Sequence, residues 1–138
     1  GFGMAVELAT GSLEENYEHI TRLERHFLSQ LDKKEIAYKI NGNNRVPGVL
    51  NITFPNIDGQ NLVMQMDIIG IGISFGTACA SSGTAKASNI LLDMGLTEEN
   101  ALSTVRISFG KIHSLENVKT VVDAIYQILA HHNQEFIF

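Results

Sequence analysis

One cysteine stands in the chain, at position 79, inside Ser74-Phe75-Gly76-Thr77-Ala78-Cys79-Ala80-Ser81-Ser82-Gly83. A lone cysteine is most often a small buried hydrophobe. This one follows a predicted strand and lies among glycine, alanine, serine and threonine, with no large side chain after Phe75. A segment of that kind has little to anchor it by burial, which predicts a mobile loop and an accessible thiol. The chemistry open to such a thiol is nucleophilic attack by its thiolate, a minor species at neutral pH for a free pKa of about 8.5. Lys86, and a helix start near Ser88, both favour the thiolate, although a lysine in such a place is as often simply solvated. The second candidate is Arg106, set between apolar neighbours in Thr104–Phe109. An arginine there serves either a structural ion pair or the two-pronged binding of a carboxylate.

The remaining titratable side chains are less suggestive. His19 and His26 are seven residues apart on a predicted helix and read as solvated-face residues. His131 and His132 end the last helix, where a cation suits the dipole, and His113 sits in a turn. None has partners at metal-ligand spacing, so no metal is expected.

Helices and short strands must position these groups. Ser12 and Glu15 have the spacing of a capping box. The helix that follows is expected to bury Leu13, Tyr17, Ile20, Leu23, Phe27 and Leu31, at spacings of three and four. Ile36–Ile40, Val49–Phe54, Ile71–Phe75 and Thr104–Phe109 read as strands, and Asn41–Asn44 as a turn. Helices are predicted around Asn61–Asp67, after Ser88 with Gly95 as a left-handed stop, and after Thr97 over Glu98–Leu102. Ser114 opens a last helix striped by Val118, Val121, Val122, Ile125, Ile128 and Leu129. With 138 residues, no repeats and no linkers, residues 1–138 read as one α/β domain, a short sheet of about four strands packed by helices.

Composition narrows the partners. A net charge of −5 speaks against nucleic acid and anionic membranes, and no apolar run approaches bilayer length. No signal peptide is visible, and a single cysteine rules out an internal disulfide, so the cytoplasm is the expected compartment. The chain opens on Gly1-Phe2-Gly3 without a methionine and runs into a helix-like stretch, so it is expected to be part of something longer.

The cysteine segment resembles the active-cysteine loop of NifS-like, PLP-dependent cysteine desulfurases, in which Ser-x-Gly-Ser/Thr-Ala-Cys precedes small residues. Other stretches are similar to the same family, in the same order. Gly1–Ala9 resembles the end of its interdomain helix. Val46-Pro47-Gly48-Val49-Leu50-Asn51-Ile52-Thr53-Phe54 is similar to its Pro-x-x-Leu-Asn-x-Ser-Phe strand, and Asp58-Gly59-Gln60-Asn61-Leu62 to a following turn. Met94-Gly95-Leu96 and Val105-Arg106-Ile107-Ser108-Phe109-Gly110 match two further signatures. The likeness is to the long-loop branch. Phe75 replaces a usual serine, Gly83–Ala87 stands where Leu-Glu-Pro is common, and the chain ends at Glu135–Phe138 without the usual docking tail.

The resemblance implies the small C-terminal domain of a fold-type I PLP enzyme. It implies that Cys79 takes sulfur from L-cysteine as a persulfide, with release of L-alanine, and that Arg106 binds the substrate carboxylate. It further implies a homodimeric full-length enzyme that passes sulfur to an acceptor such as an iron–sulfur scaffold protein. Pyridoxal 5′-phosphate would be held by a large domain, because no segment here resembles the family's PLP lysine motif around Lys33, Lys34, Lys39, Lys86, Lys111 or Lys119. The chain by itself is therefore expected to be inactive. A free-standing persulfide carrier, and the small domain of a related aminotransferase or selenocysteine lyase, are the competing readings.

Overall fold

The computed structural model describes residues 1–76 and 87–134. Helix α1 (Phe2–Gly11) and helix α2 (Leu13–Lys33) are separated only by Ser12. They are followed by β1 (Lys39–Ile40), β2 (Val49–Thr53), α3 (Gly59–Ile68) and β3 (Ser74–Phe75). The short helices α4 (Asn89–Asp93) and α5 (Glu98–Leu102) lead into β4 (Thr104–Ser108) and the long α6 (Leu115–Gln134). The strands form one sheet in the order β1-β2-β4-β3, every neighbouring pair antiparallel. Among the described residues no helix is long and apolar enough to cross a membrane.

Alternation along β2 and β4 separates two faces. Leu50 and Ile52 lie opposite Ile107 and Val105 and join Leu23, Phe27 and Leu31 of α2 and Val118, Val122 and Ile125 of α6 in one buried cluster. Phe27 and Phe109 meet there at 5.5 Å between ring centroids, tilted by 57°. Lys34 ties the two helices at their edge, 2.9 Å from Asp123 and 4.6 Å above the Tyr126 ring.

The other face is polar. Thr53 and Thr104 are paired across β2 and β4 and buried, while Arg106 on the same face is exposed. Thr104 Oγ1 approaches the Asn100 carbonyl of α5 at 2.5 Å, so α5 closes the threonine end of this face.

Two glycines make close approaches possible. Gly48 has φ +81, and a β-carbon there would sit 2.1 Å from Ile20 Cγ2. Its amide donates to Glu24 Oε2 at 2.6 Å and its carbonyl accepts from Phe109 N at 2.7 Å. Arg45 pairs with the other carboxylate oxygen, so buried Glu24 pins the 45–48 turn to α2. At Gly59 a β-carbon would lie 2.7 Å from the Leu102 carbonyl and 2.9 Å from Phe75 Cδ2. Asp58 Oδ1 caps α3 by accepting from Gln60 N and Asn61 N.

Several local expectations need correction. The capping box at Ser12 is absent, because α1 supplies a nearer acceptor. The Ser12 hydroxyl donates to Leu8 O at 3.0 Å and accepts from Asn16 Nδ2 at 2.9 Å. Leu13 and Tyr17 are exposed, since only the later turns of α2 reach the core. The first and third strands shrink to Lys39–Ile40 and Ser74–Phe75, because pairing with a neighbour is what defines a strand: β2 ends at Thr53 opposite Lys39, and residues 71–73 make no ladder pairs with β4 although β4 continues to Ser108. Ser88 stands at the N-cap of α4 without a capping bond, whereas Thr97 and Ser114 accept from Asn100 N and Asn117 N as expected. Asn41, at the start of the predicted Asn41–Asn44 turn, is buried. The Gly95 stop is formed, with φ +88.

Candidate functional site

Arg106 lies at the middle of β4, directly between Asn51 of β2 and Ser74 of β3. The strand alternation that buries Val105 and Ile107 turns the guanidinium to the opposite face. Its Nη2 donates to Ser74 Oγ at 3.3 Å, and no carboxylate pairs with it among the described residues. Among the described residues, no structural ion pair holds this arginine there.

The guanidinium opens on a hollow of about 260 Å³, lined by Asn51, Gly76, Ser88, Ile90, Leu91 and Thr104 besides Arg106. Cys79 and Lys86 fall within 77–86 and lie outside the described residues. Gly76 borders that segment directly, Ser88 stands one residue beyond Ala87, and both line the hollow. The chain thus enters and leaves the cysteine segment beside the arginine.

A larger hollow of about 400 Å³ lies between the end of β4 and α6, near Ile71, Ile73, Phe109, His113, Asn117 and Val121. Two of its polar groups are engaged in local hydrogen bonds. His113 Nδ1 accepts from Gly110 N at 2.9 Å, and Asn117 Oδ1 accepts from Ser114 N at 2.9 Å. Among the described residues it is lined by no lysine or arginine, whereas the smaller hollow is lined by Arg106. Of the other histidines, His19 is not merely solvated: its Nε2 lies 2.9 Å from the His113 carbonyl and ties α2 to the turn before α6.

A PLP-binding lysine has to project into an enclosed site. Lys33, Lys39, Lys111 and Lys119 are exposed, and Lys34 is paired with Asp123. The described residues therefore do not fit the cofactor itself, and what they place at the hollow is the Arg106 guanidinium. The sequence alone had passed over Ser74, Asn41, Thr53 and Thr104. The signal was present in part, since polar residues recur at every second position of two otherwise apolar strands.

Residues 1–121 match the family model described as aminotransferase class-V. The chain is 28% identical over 131 residues to a cysteine desulfurase IscS of Dictyoglomus turgidum and 31% identical over 133 residues to one of Clostridium botulinum. Each alignment covers 94% of this chain and 33% of the relative. The X-ray structure of a NifS-like protein from Rickettsia africae superposes with a TM-score of 0.78 at 29% identity, over 94% of this chain and 33% of that one. The chain belongs to the class-V aminotransferase family. It spans about a third of the length of the curated relatives it matches.

Proposed function

We propose that residues 1–138 form the small C-terminal domain of a PLP-dependent cysteine desulfurase. Arg106 binds the carboxylate of L-cysteine, and Cys79 accepts its sulfur. The observation that carries this reading is an exposed mid-strand arginine with no carboxylate partner among the described residues, beside the entry and exit of the cysteine segment. The names of the similar proteins support it.

In the reaction, Cys79 Sγ forms a bond to the substrate sulfur, and the substrate C–S bond breaks. The carbon side takes up a proton and leaves as L-alanine. The cofactor, if held by residues outside those described, would supply the electron sink for bond cleavage. The guanidinium fixes the substrate through two parallel charged hydrogen bonds, so that the sulfur is presented repeatedly in one orientation. The persulfide is then passed to an acceptor such as an iron–sulfur scaffold protein, by a homodimeric enzyme of the cytoplasm.

In the full-length enzyme, Arg106→Lys keeps the charge and loses the fork. KM for L-cysteine should rise about tenfold, equivalent to about 1.4 kcal/mol, with the cofactor still bound. An unchanged KM would sink the assignment. Cys79→Ser should abolish sulfide release, because a serine hydroxyl does not ionise near neutral pH, while cofactor absorbance is retained. Residual turnover together with a lowered Tm would identify a structural cysteine instead.

A further inference from the structure

The polar face of the sheet contains a hydrogen-bond chain whose direction can be read from one end. Thr104 Oγ1 lies 2.5 Å from the Asn100 carbonyl, a separation that requires the hydroxyl proton between the two oxygens. Thr104 has no second proton, so in its 2.7 Å contact with Thr53 Oγ1 the Thr53 hydroxyl is the donor. Thr53 must then accept from its other neighbour, which identifies the Asn41 atom 2.9 Å away as Nδ2. The second hydrogen of that nitrogen goes to Asn51 at 2.9 Å, so the Asn51 atom there is the carbonyl oxygen Oδ1. What Asn51 has left is its own NH₂ group.

The reverse polarity fails at the Asn100 carbonyl, where two acceptors would face each other at 2.5 Å. The observed direction is kept although it leaves the buried Asn41 Oδ1 without a partner among the described residues. Asn51 lies directly opposite Arg106 in the β2–β4 ladder and lines the same hollow. Side chains so paired share a face, with β-carbons about 4.5–5.5 Å apart. Asn51 Nδ2 donates to no described residue.

We propose that Asn51 is a second recognition group for the substrate carboxylate, its Nδ2 donating beside the Arg106 guanidinium. This rests on the reading of Arg106 given above. A carboxylate offers about four lone-pair sites, and a two-pronged guanidinium occupies two of them, so an amide donor on the neighbouring strand has an acceptor to meet. Asn41 acts through Asn51: by occupying Oδ1 it prevents the carboxamide from turning its oxygen toward the anion.

The test uses the PLP-loaded full-length enzyme on a Cys79→Ser background, where ligands bind without turnover. Binding of L-cysteine and of cysteamine, which lacks the carboxylate, is titrated through the cofactor's visible absorbance. Asn51→Ala should weaken L-cysteine about tenfold and leave cysteamine unchanged. Asn51→Asp is isosteric, keeps the bond from Asn41 Nδ2, and faces the substrate with a like charge. It should weaken L-cysteine further than alanine does, again without loss for cysteamine. Unchanged L-cysteine binding, or equal loss for both ligands, overturns the role of Asn51. Arg106→Lys measured in parallel separates the two readings. If it discriminates between the ligands and Asn51→Ala does not, Asn51 alone is misassigned; if neither does, the carboxylate site itself is wrong.

Discussion

The two faces of the sheet are built from the same strands and are stabilised in different ways. On the helix-covered face, Leu50, Ile52, Val105 and Ile107 contribute area, and burial is non-directional and proportional to that area. On the other face, Thr53, Thr104, Asn51 and Arg106 contribute direction. The hydroxyl donors there have particular acceptors, and the row runs from closed and satisfied at Thr104 to exposed at Arg106. The buried cluster lies on the first face and the recognition proposed for Arg106 on the second, where an exposed arginine without a carboxylate partner among the described residues costs the core nothing.

Substitutions can break that division, and the largest effect is expected on the apolar face. Phe27 is fully buried against Phe109, so Phe27→Ala should cost about 3–5 kcal/mol in denaturant unfolding. A loss below 1 kcal/mol would mean that α2 does not hold the core. At the seam between helix and turn, Glu24→Ala should cost about 1.5–3 kcal/mol, because the Gly48 amide loses its acceptor in a buried setting. Arg45 is one-third exposed and can rehydrate, so little of that loss is expected to come from its charge. Glu24→Gln, which keeps an acceptor, should recover part of it.

On the polar face, Arg106→Lys should change unfolding stability by no more than about 0.5 kcal/mol while altering substrate affinity, a separation the apolar face cannot show. The smallest effect lies away from both faces, at Tyr38, whose hydroxyl donates to Asp32 at 3.0 Å. Its pKa is raised by burial and then by the hydrogen bond and charge of Asp32. A raised folded-state pKa means that stability is fully present below the unfolded value of about 10 and is lost as pH rises through the folded value. Tyr38→Phe should therefore flatten the alkaline decline above about pH 10 and cost only a few tenths of a kcal/mol near neutrality. An unchanged alkaline limb in urea titrations would assign that decline to other groups.

Much of this architecture was readable from residue order. Val49–Thr53 and Thr104–Ser108 alternate with period two, the later turns of α2 and the stripe of α6 recur every three to four residues, and Gly95 and Asp58 mark a stop and a start. These features are local, so the sequence carries them directly. Cys79 and Arg106 were singled out by a segment of small residues, a charge in an apolar strand and the family resemblance; the structure puts Arg106 at the hollow, and Cys79 lies outside the described residues.

Tertiary structure decided the rest, because each remaining feature depends on what a distant segment supplies. Ser12 abandons Glu15 for Leu8 only because a second helix ends beside it. Leu13 and Tyr17 carry the right periodicity and stay exposed because the sheet does not extend beneath them. Glu24 reads as an ordinary helix-surface acid until the turn at Gly48 arrives from 24 residues away. The orientation of Asn51 is inherited through Asn41, Thr53 and Thr104 from a carbonyl on α5, 49 residues distant in the chain. Periodicity encodes which face a residue takes, and hydrogen-bond direction exists only once the strands are side by side.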